Sequence, residues 1–128
     1  MTLGSPDGRS EAEEVLSALS DPTRRALLWL LAERGEATAT SMAPELSVSR
    51  QAVSKHLGVL DEAGLVRARR RGREVRYRVR PEPLHGTATW LHDLAVMWEV
   101  RLRRIKSISE EVAKPEAAET KDPRHPVE

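Results

Sequence analysis

The segment Val66 to Arg80, VRARRRGREVRYRVR, limits the fold of this chain more than any other stretch. It carries eight arginines and one glutamate, yet the 128-residue chain has 21 Lys+Arg against 20 Asp+Glu and a net charge of only +1. A disordered basic arm, a targeting signal and a folded nucleic-acid-binding element are the three ways to use such a block. The spacing decides between them. Val66 and Ala68 alternate with Arg67 and Arg69, and Val75, Tyr77 and Val79 alternate with Arg76, Arg78 and Arg80. Period two is the strand signature. Arg71-Gly72-Arg73 lies between the two runs and supplies the glycine of a short turn. A disordered arm has no reason to space apolar residues in this way. The block therefore reads as a β-hairpin with an apolar face on helices and an arginine face in solvent.

Helices precede it. Ser10 caps a short helix to about Leu19, with Glu11, Glu13 and Glu14 in the first turn and Val15, Leu16 and Leu19 as its apolar stripe. Asp21-Pro22 restarts the helix with an N-cap and a proline at the first position. This second helix runs to about Arg34, stops at Gly35, and is apolar over a wide arc from Leu27 through Trp29 to Leu31, which predicts a central place. Thr38 or Thr40 opens a third, short helix to about Leu46, with Pro44 in or just past its first turn. After the break at Ser47-Val48-Ser49, Ser49 caps a fourth helix to about Ala63, with Gly64 as its stop. Val53, Leu57 and Leu60 form its buried stripe, with Ala52 beside it. Two helices joined by a few polar residues outline a helix-turn-helix.

Pro81 and Pro83 open a last helix to about Val112. Leu84, Leu91, Trp98, Ile105 and Val112 recur at every seventh position, and Ala88, Ala95 and Leu102 fill the partner position. The stripe reads as a dimer seam shared with the first helix, against the alternative of packing within one chain. Val15, Leu19, Leu91, Ala95, Trp98, Leu102 and Ile105 are the expected interface residues. Residues 1–9 and 114–128 are expected to be disordered tails, the latter because it holds Pro115, Pro123 and Pro126 and few apolar residues. The domain is then residues 10–113.

The expected fold is mainly α with a small β-hairpin: a winged helix-turn-helix that dimerises through its terminal helices. A helix fits the major groove of DNA, where each base pair shows a distinct pattern of donors and acceptors. A basic hairpin reaches the adjacent backbone or minor groove. On the fourth helix the outward residues are Arg50, Gln51, Ser54, Lys55 and Gly58, after the cap Ser49. Arg50 suits guanine, Gln51 adenine, Ser54 a base or phosphate, and Lys55 a phosphate. His56 falls between the two faces, open to a DNA contact or to packing beside the hairpin. Arg71 and Arg73 stand at the hairpin tip, with Arg69 and Arg76 next among the expected DNA contacts. Arg67, Arg69, Arg76 and Arg78 lie further down, open to pairing with acids of the first helices.

LSDPTRRALLWLL, SVSRQAVSKHLGVLDEAGLV and RRRGREVRYRV closely resemble the ArsR/SmtB-type bacterial winged-helix repressors over roughly Val15 to Ile108. The resemblance implies a homodimer built on its first and last helices that binds an inverted-repeat operator. It also implies that Arg50, Gln51, Ser54 and Lys55 occupy DNA-contacting positions. The departures are equally informative. Metal-sensing members carry a cysteine pair on the third helix, where this chain reads TSMAPELS and has no cysteine anywhere. Others bind zinc through Asp, His and Glu on the last helix, but His85, His92, Asp93 and Glu99 lack that spacing. No metal and no cofactor is expected. The last helix, TWLHDLAVMWEVRLRRI, is similar to the subgroup often encoded beside a small START-type protein, whose inducer is often unknown.

Double-stranded DNA and a second copy of the chain are thus the expected partners, and a repressor in the bacterial cytoplasm, at the nucleoid, is the expected role. The absence of cysteine fits a reducing compartment, and no apolar run reaches the roughly 18 residues of a membrane span. The alternative is a winged-helix module that binds protein or RNA. Against RNA loops stands the lack of stacking residues, with no Phe and one Tyr. An enzyme has no support, since there is no glycine-rich phosphate loop, carboxylate pair or cysteine nucleophile. An organic inducer near Trp29, Trp90 and Trp98 is conceivable, although those residues read equally as core.

Overall fold

A computed structural model describes residues 9–113. The tails expected at 1–8 and 114–128 lie outside the described residues. Helix α1 spans Arg9–Ala18, α2 Pro22–Arg34, α3 Ala39–Leu46, α4 Arg50–Glu62 and α5 Glu82–Ala113; the strands are β1 Ala37–Thr38, β2 Val66–Arg71 and β3 Glu74–Val79. Arg9, expected in the tail, is the first residue of α1, so the helix begins one residue before Ser10. The chain divides into two compact units, one ending at Leu91 and the other beginning at His92.

Local chemistry sets the breaks in the first unit. The Asp21 carboxylate accepts from the Thr23 N–H at 2.7 Å and the Arg24 N–H at 3.3 Å, and Pro22 follows it at the helix start. Gly35, at φ +83°, closes α2 and donates to the Leu31 carbonyl at 2.7 Å. Thr38 and Ser41 form a reciprocal capping box on α3. Pro44 sits just past the first turn of α3, as expected. There it removes the donor for the Thr40 carbonyl, a loss tolerated because Thr40 and Pro44 are both exposed to water.

Val15, Leu27, Leu31, Met42, Val53, Leu57, Leu60, Leu65 and Val66 are fully buried and form the core of the first unit. Trp29 corrects the expectation of a wide buried arc on α2, because it is 74% exposed. Leu27, Leu28 and Leu31 face inward. Trp29 lies two residues beyond Leu27, a rotation of about 200° at 3.6 residues per turn, which carries it to the outside.

The sheet has three strands rather than the expected two, in the order β1-β3-β2 and antiparallel throughout. Tyr77 lies at its centre, opposite Ala37 on one side and Ala68 on the other, so small residues leave room for the ring. The Arg80 N–H donates to the Leu65 carbonyl at 2.8 Å and extends the hairpin ladder into the core.

In the second unit, residues 92–113 are helical and residues 92–112 are exposed, including Leu94, Trp98, Leu102, Ile105 and Val112.

Candidate nucleic-acid interface

Helix α4 is set off from α3 by Ser47, the one described non-glycine residue with positive φ (57°). The left-handed turn redirects the chain, and Ser49 then caps α4 by accepting from the Ala52 N–H at 3.0 Å. With Val53, Leu57 and Leu60 at 0% exposure, the helix cannot rotate without breaking the core. That anchoring leaves Arg50, Gln51, Ser54, Lys55 and Gly58 exposed. Ser49 is exposed beside them.

The strand register sorts the wing, β2 and β3, into two faces. Arg67 lies opposite Arg78, Arg69 opposite Arg76, and Arg71 opposite Glu74. Alternation puts these six side chains on one face and Val66, Ala68, Arg70, Val75, Tyr77 and Val79 on the other. Like charges directly opposite one another destabilise a sheet. Glutamates relieve the strain at one point only. Arg76 bonds Glu74 at 2.9 Å and lies 3.7 Å from Glu36. Arg67, Arg69, Arg70, Arg71, Arg73 and Arg78 have no carboxylate among the described residues within ion-pair reach. The tip is the two-residue turn Gly72-Arg73, with Gly72 at φ +64°, so Arg71 is the last residue of β2 and not part of the turn. Ala68 is exposed despite its place on the apolar face, because the hairpin rests on the core only at its base.

His56 is half-buried on α4, and its Nδ1 accepts from the Arg24 guanidinium at 3.3 Å. Arg24 also donates to the Ala18 and Ser17 carbonyls at the end of α1. Desolvation pushes the nearby Asp21 carboxyl up. The Thr23 and Arg24 N–H groups, with the Arg24 guanidinium, outweigh that and hold it below its ordinary value. Nothing in the sequence pattern marks Arg24 for this role, since its partners lie six and 32 residues away.

Of the seven expected interface residues, Leu91, Ala95, Trp98, Leu102 and Ile105 are exposed. Leu19 is half-buried. Val15 is corrected: at 0% exposure it packs wholly inside its own chain and offers nothing to a second copy. Its position on the inner side of α1 makes Leu16, at 39% exposure, the outward residue of that helix. The described residues contain no group of three or more His, Asp or Glu placed to hold a metal ion. Of the three tryptophans, Trp29 and Trp98 are exposed and Trp90 is half-buried. Trp29 borders a cavity of about 270 Å³ lined also by Leu19, Leu28, Val79 and Leu84.

A helix-turn-helix domain family matches residues 19–69. The chain is 42% identical over 73 residues to the HTH-type transcriptional regulator YuzN of Bacillus subtilis, an alignment covering 52% of this chain and 76% of that protein. It is 34% identical over 77 residues to the transcriptional repressor SdpR of the same organism, covering 60% and 84%. Among solved structures it is similar to an ArsR-like transcriptional regulator from Rhodococcus sp. RHA1, with a TM-score of 0.70 and 43% identity over 77% of this chain and 92% of that one.

Proposed function

The chain belongs to the ArsR family of winged helix-turn-helix transcriptional regulators, and from that premise we propose that it is a homodimeric repressor that reads an inverted-repeat operator in duplex DNA. The observation that carries this reading is the arginine face of the wing. A fold that sets Arg67 against Arg78, with no carboxylate among the described residues in reach of either, accepts a standing repulsion that phosphates relieve. Beside it, α4 presents a polar face fixed by a buried one. Arg50 has the fork that pairs with guanine O6 and N7, and Gln51 the amide that pairs with adenine N6 and N7. Ser49, Ser54 and Lys55 serve backbone or base edges, and Arg69, Arg71 and Arg73 supply affinity from the wing. Arg76, neutralised by Glu74 and Glu36, contributes least of the expected wing contacts.

The dimer reading rests on the exposed apolar stripe of α5, which recurs as Leu91, Trp98, Ile105 and Val112 and is too regular for a solvated helix face. No helix among the described residues is long and apolar enough to cross a membrane. We place the protein's work in the bacterial cytoplasm, at the nucleoid.

Selection from random duplex DNA tests the reading. The expected product is a palindrome with half-sites about 10–10.5 bp apart, or a multiple of that turn. Recovery of no enriched motif overturns it. Arg50→Ala and Gln51→Ala should each cost about 1–3 kcal/mol at the matching base pair and relax its identity. Arg71→Ala and Arg73→Ala should weaken all sequences alike and each lower the salt slope by about 1.

A further inference from the structure

We infer that Arg24 is a positioning residue for DNA reading: through the Nδ1 of His56 it fixes the recognition helix α4 to the end of α1. The inference rests on the DNA-binding reading above. Guanidinium has five donors and no acceptor. Arg24 spends them on three targets from one planar group. Its Nε donates to the Ala18 carbonyl, its Nη2 to the Ser17 carbonyl at 3.5 Å, and its Nη1 to His56 Nδ1 at 3.3 Å. The first two are carbonyls at the C-terminal end of α1, where a cation is favoured, and the Ser17 carbonyl also accepts from the Ser20 N–H and hydroxyl. The backbone of Arg24 is itself held, since its N–H donates to the Asp21 carboxylate.

The histidine end gives the contact its meaning. His56 follows Lys55 and Ser54, both on the exposed face, and precedes the buried Leu57. Among the described residues, no other hydrogen bond joins an α4 side chain to another helix. The remaining attachment is apolar packing at Val53, Leu57 and Leu60, which fixes the side of the helix that is buried but, being non-directional, does not set its angle to within a few degrees. A directed bond at the boundary of the two faces refines the rotation that the core sets, and with it where Arg50, Gln51 and Ser54 point. Because arginine only donates, Nδ1 must carry the lone pair and Nε2 the ring proton. Asparagine can replace that acceptor, because its Oδ1 is bonded to Cγ as Nδ1 is. Alanine cannot.

The experiment uses the full chain and a duplex selected by the wild type, with thermal unfolding to verify the fold. His56→Ala should lower affinity for the selected site at least tenfold and leave affinity for unrelated duplex, and its salt slope, unchanged. His56→Asn should restore selected-site affinity to within about threefold of wild type. Arg24→Lys, which keeps the charge but not the fork, should resemble His56→Ala. The inference is overturned if His56→Ala binds the selected site as wild type does, if His56→Asn falls as far as His56→Ala, or if unrelated duplex is lost in parallel. Should Arg24→Lys fail to fold, the two His56 variants decide the matter alone. Failure of the wild type to select any sequence overturns the repressor reading instead, so the two failures are distinct.

Discussion

Gly58 lies in the middle of α4, on the same exposed face as Ser54 one turn earlier. A β-carbon built there meets nothing within 4 Å, and the backbone is ordinary helix. Glycine inside a helix costs roughly 0.5–1 kcal/mol relative to alanine. Nothing within the chain offsets that cost, which points to clearance for something outside it. Gly58→Ala should therefore raise stability by about 0.5–1 kcal/mol in urea denaturation and weaken operator binding in a titration. Unchanged binding would mean that the helix does not approach DNA at that point. The residues of this face were legible in the sequence because Val53, Leu57 and Leu60 fix the buried side, and subtraction leaves the other. Trp29 and Val15 were not. Apolar character alone does not tell an inner position from an outer one on a helix rich in leucine, or a core contact from a subunit contact. Arg24 was illegible for a different reason: its partners are two backbone carbonyls and a ring nitrogen, brought together only by the fold.

At the scale of elements, the wing shows how charge and strand pairing oppose each other. Arg67 and Arg78 face one another across the ladder with no carboxylate among the described residues to separate them. Arg67→Thr should make the free protein more stable by about 0.2–1 kcal/mol, read as a higher melting temperature at low salt. The same change should weaken DNA binding and flatten its salt dependence by about 1 in the log–log slope. A variant with no gain in stability would show that water screens the pair fully. The hairpin was readable because alternation and a turn glycine are local signals. Strand β1 was not, since two residues between helices carry no alternation, and Ala37-Thr38 becomes a strand only by pairing with Tyr77 and Arg76, some 40 residues on. Helix α3 opens at the capping box of Thr38 and Ser41, one of the two starts that the sequence left open.

For the whole molecule the decisive feature is α5. Its apolar positions recur with a seven-residue period, and from Leu91 onward they are exposed in a single chain. Trp98→Glu with Ile105→Glu should leave the helix-turn-helix folded, give monomers in sedimentation, and abolish binding to the two-fold operator. A wild type that sediments as a monomer at micromolar concentration would refute the seam. The period was visible in the sequence, but a heptad stripe looks the same whether its partner is the chain's own core or another chain. One further consequence belongs to the strand order. With β3 in the centre, β2 is an open edge of the sheet, and its unpaired backbone groups can template pairing with any extended segment nearby. Four of its six residues are arginine. The cations that meet phosphate in a complex thus also guard that edge against aggregation, and a wing stripped of charge would lose solubility as well as affinity.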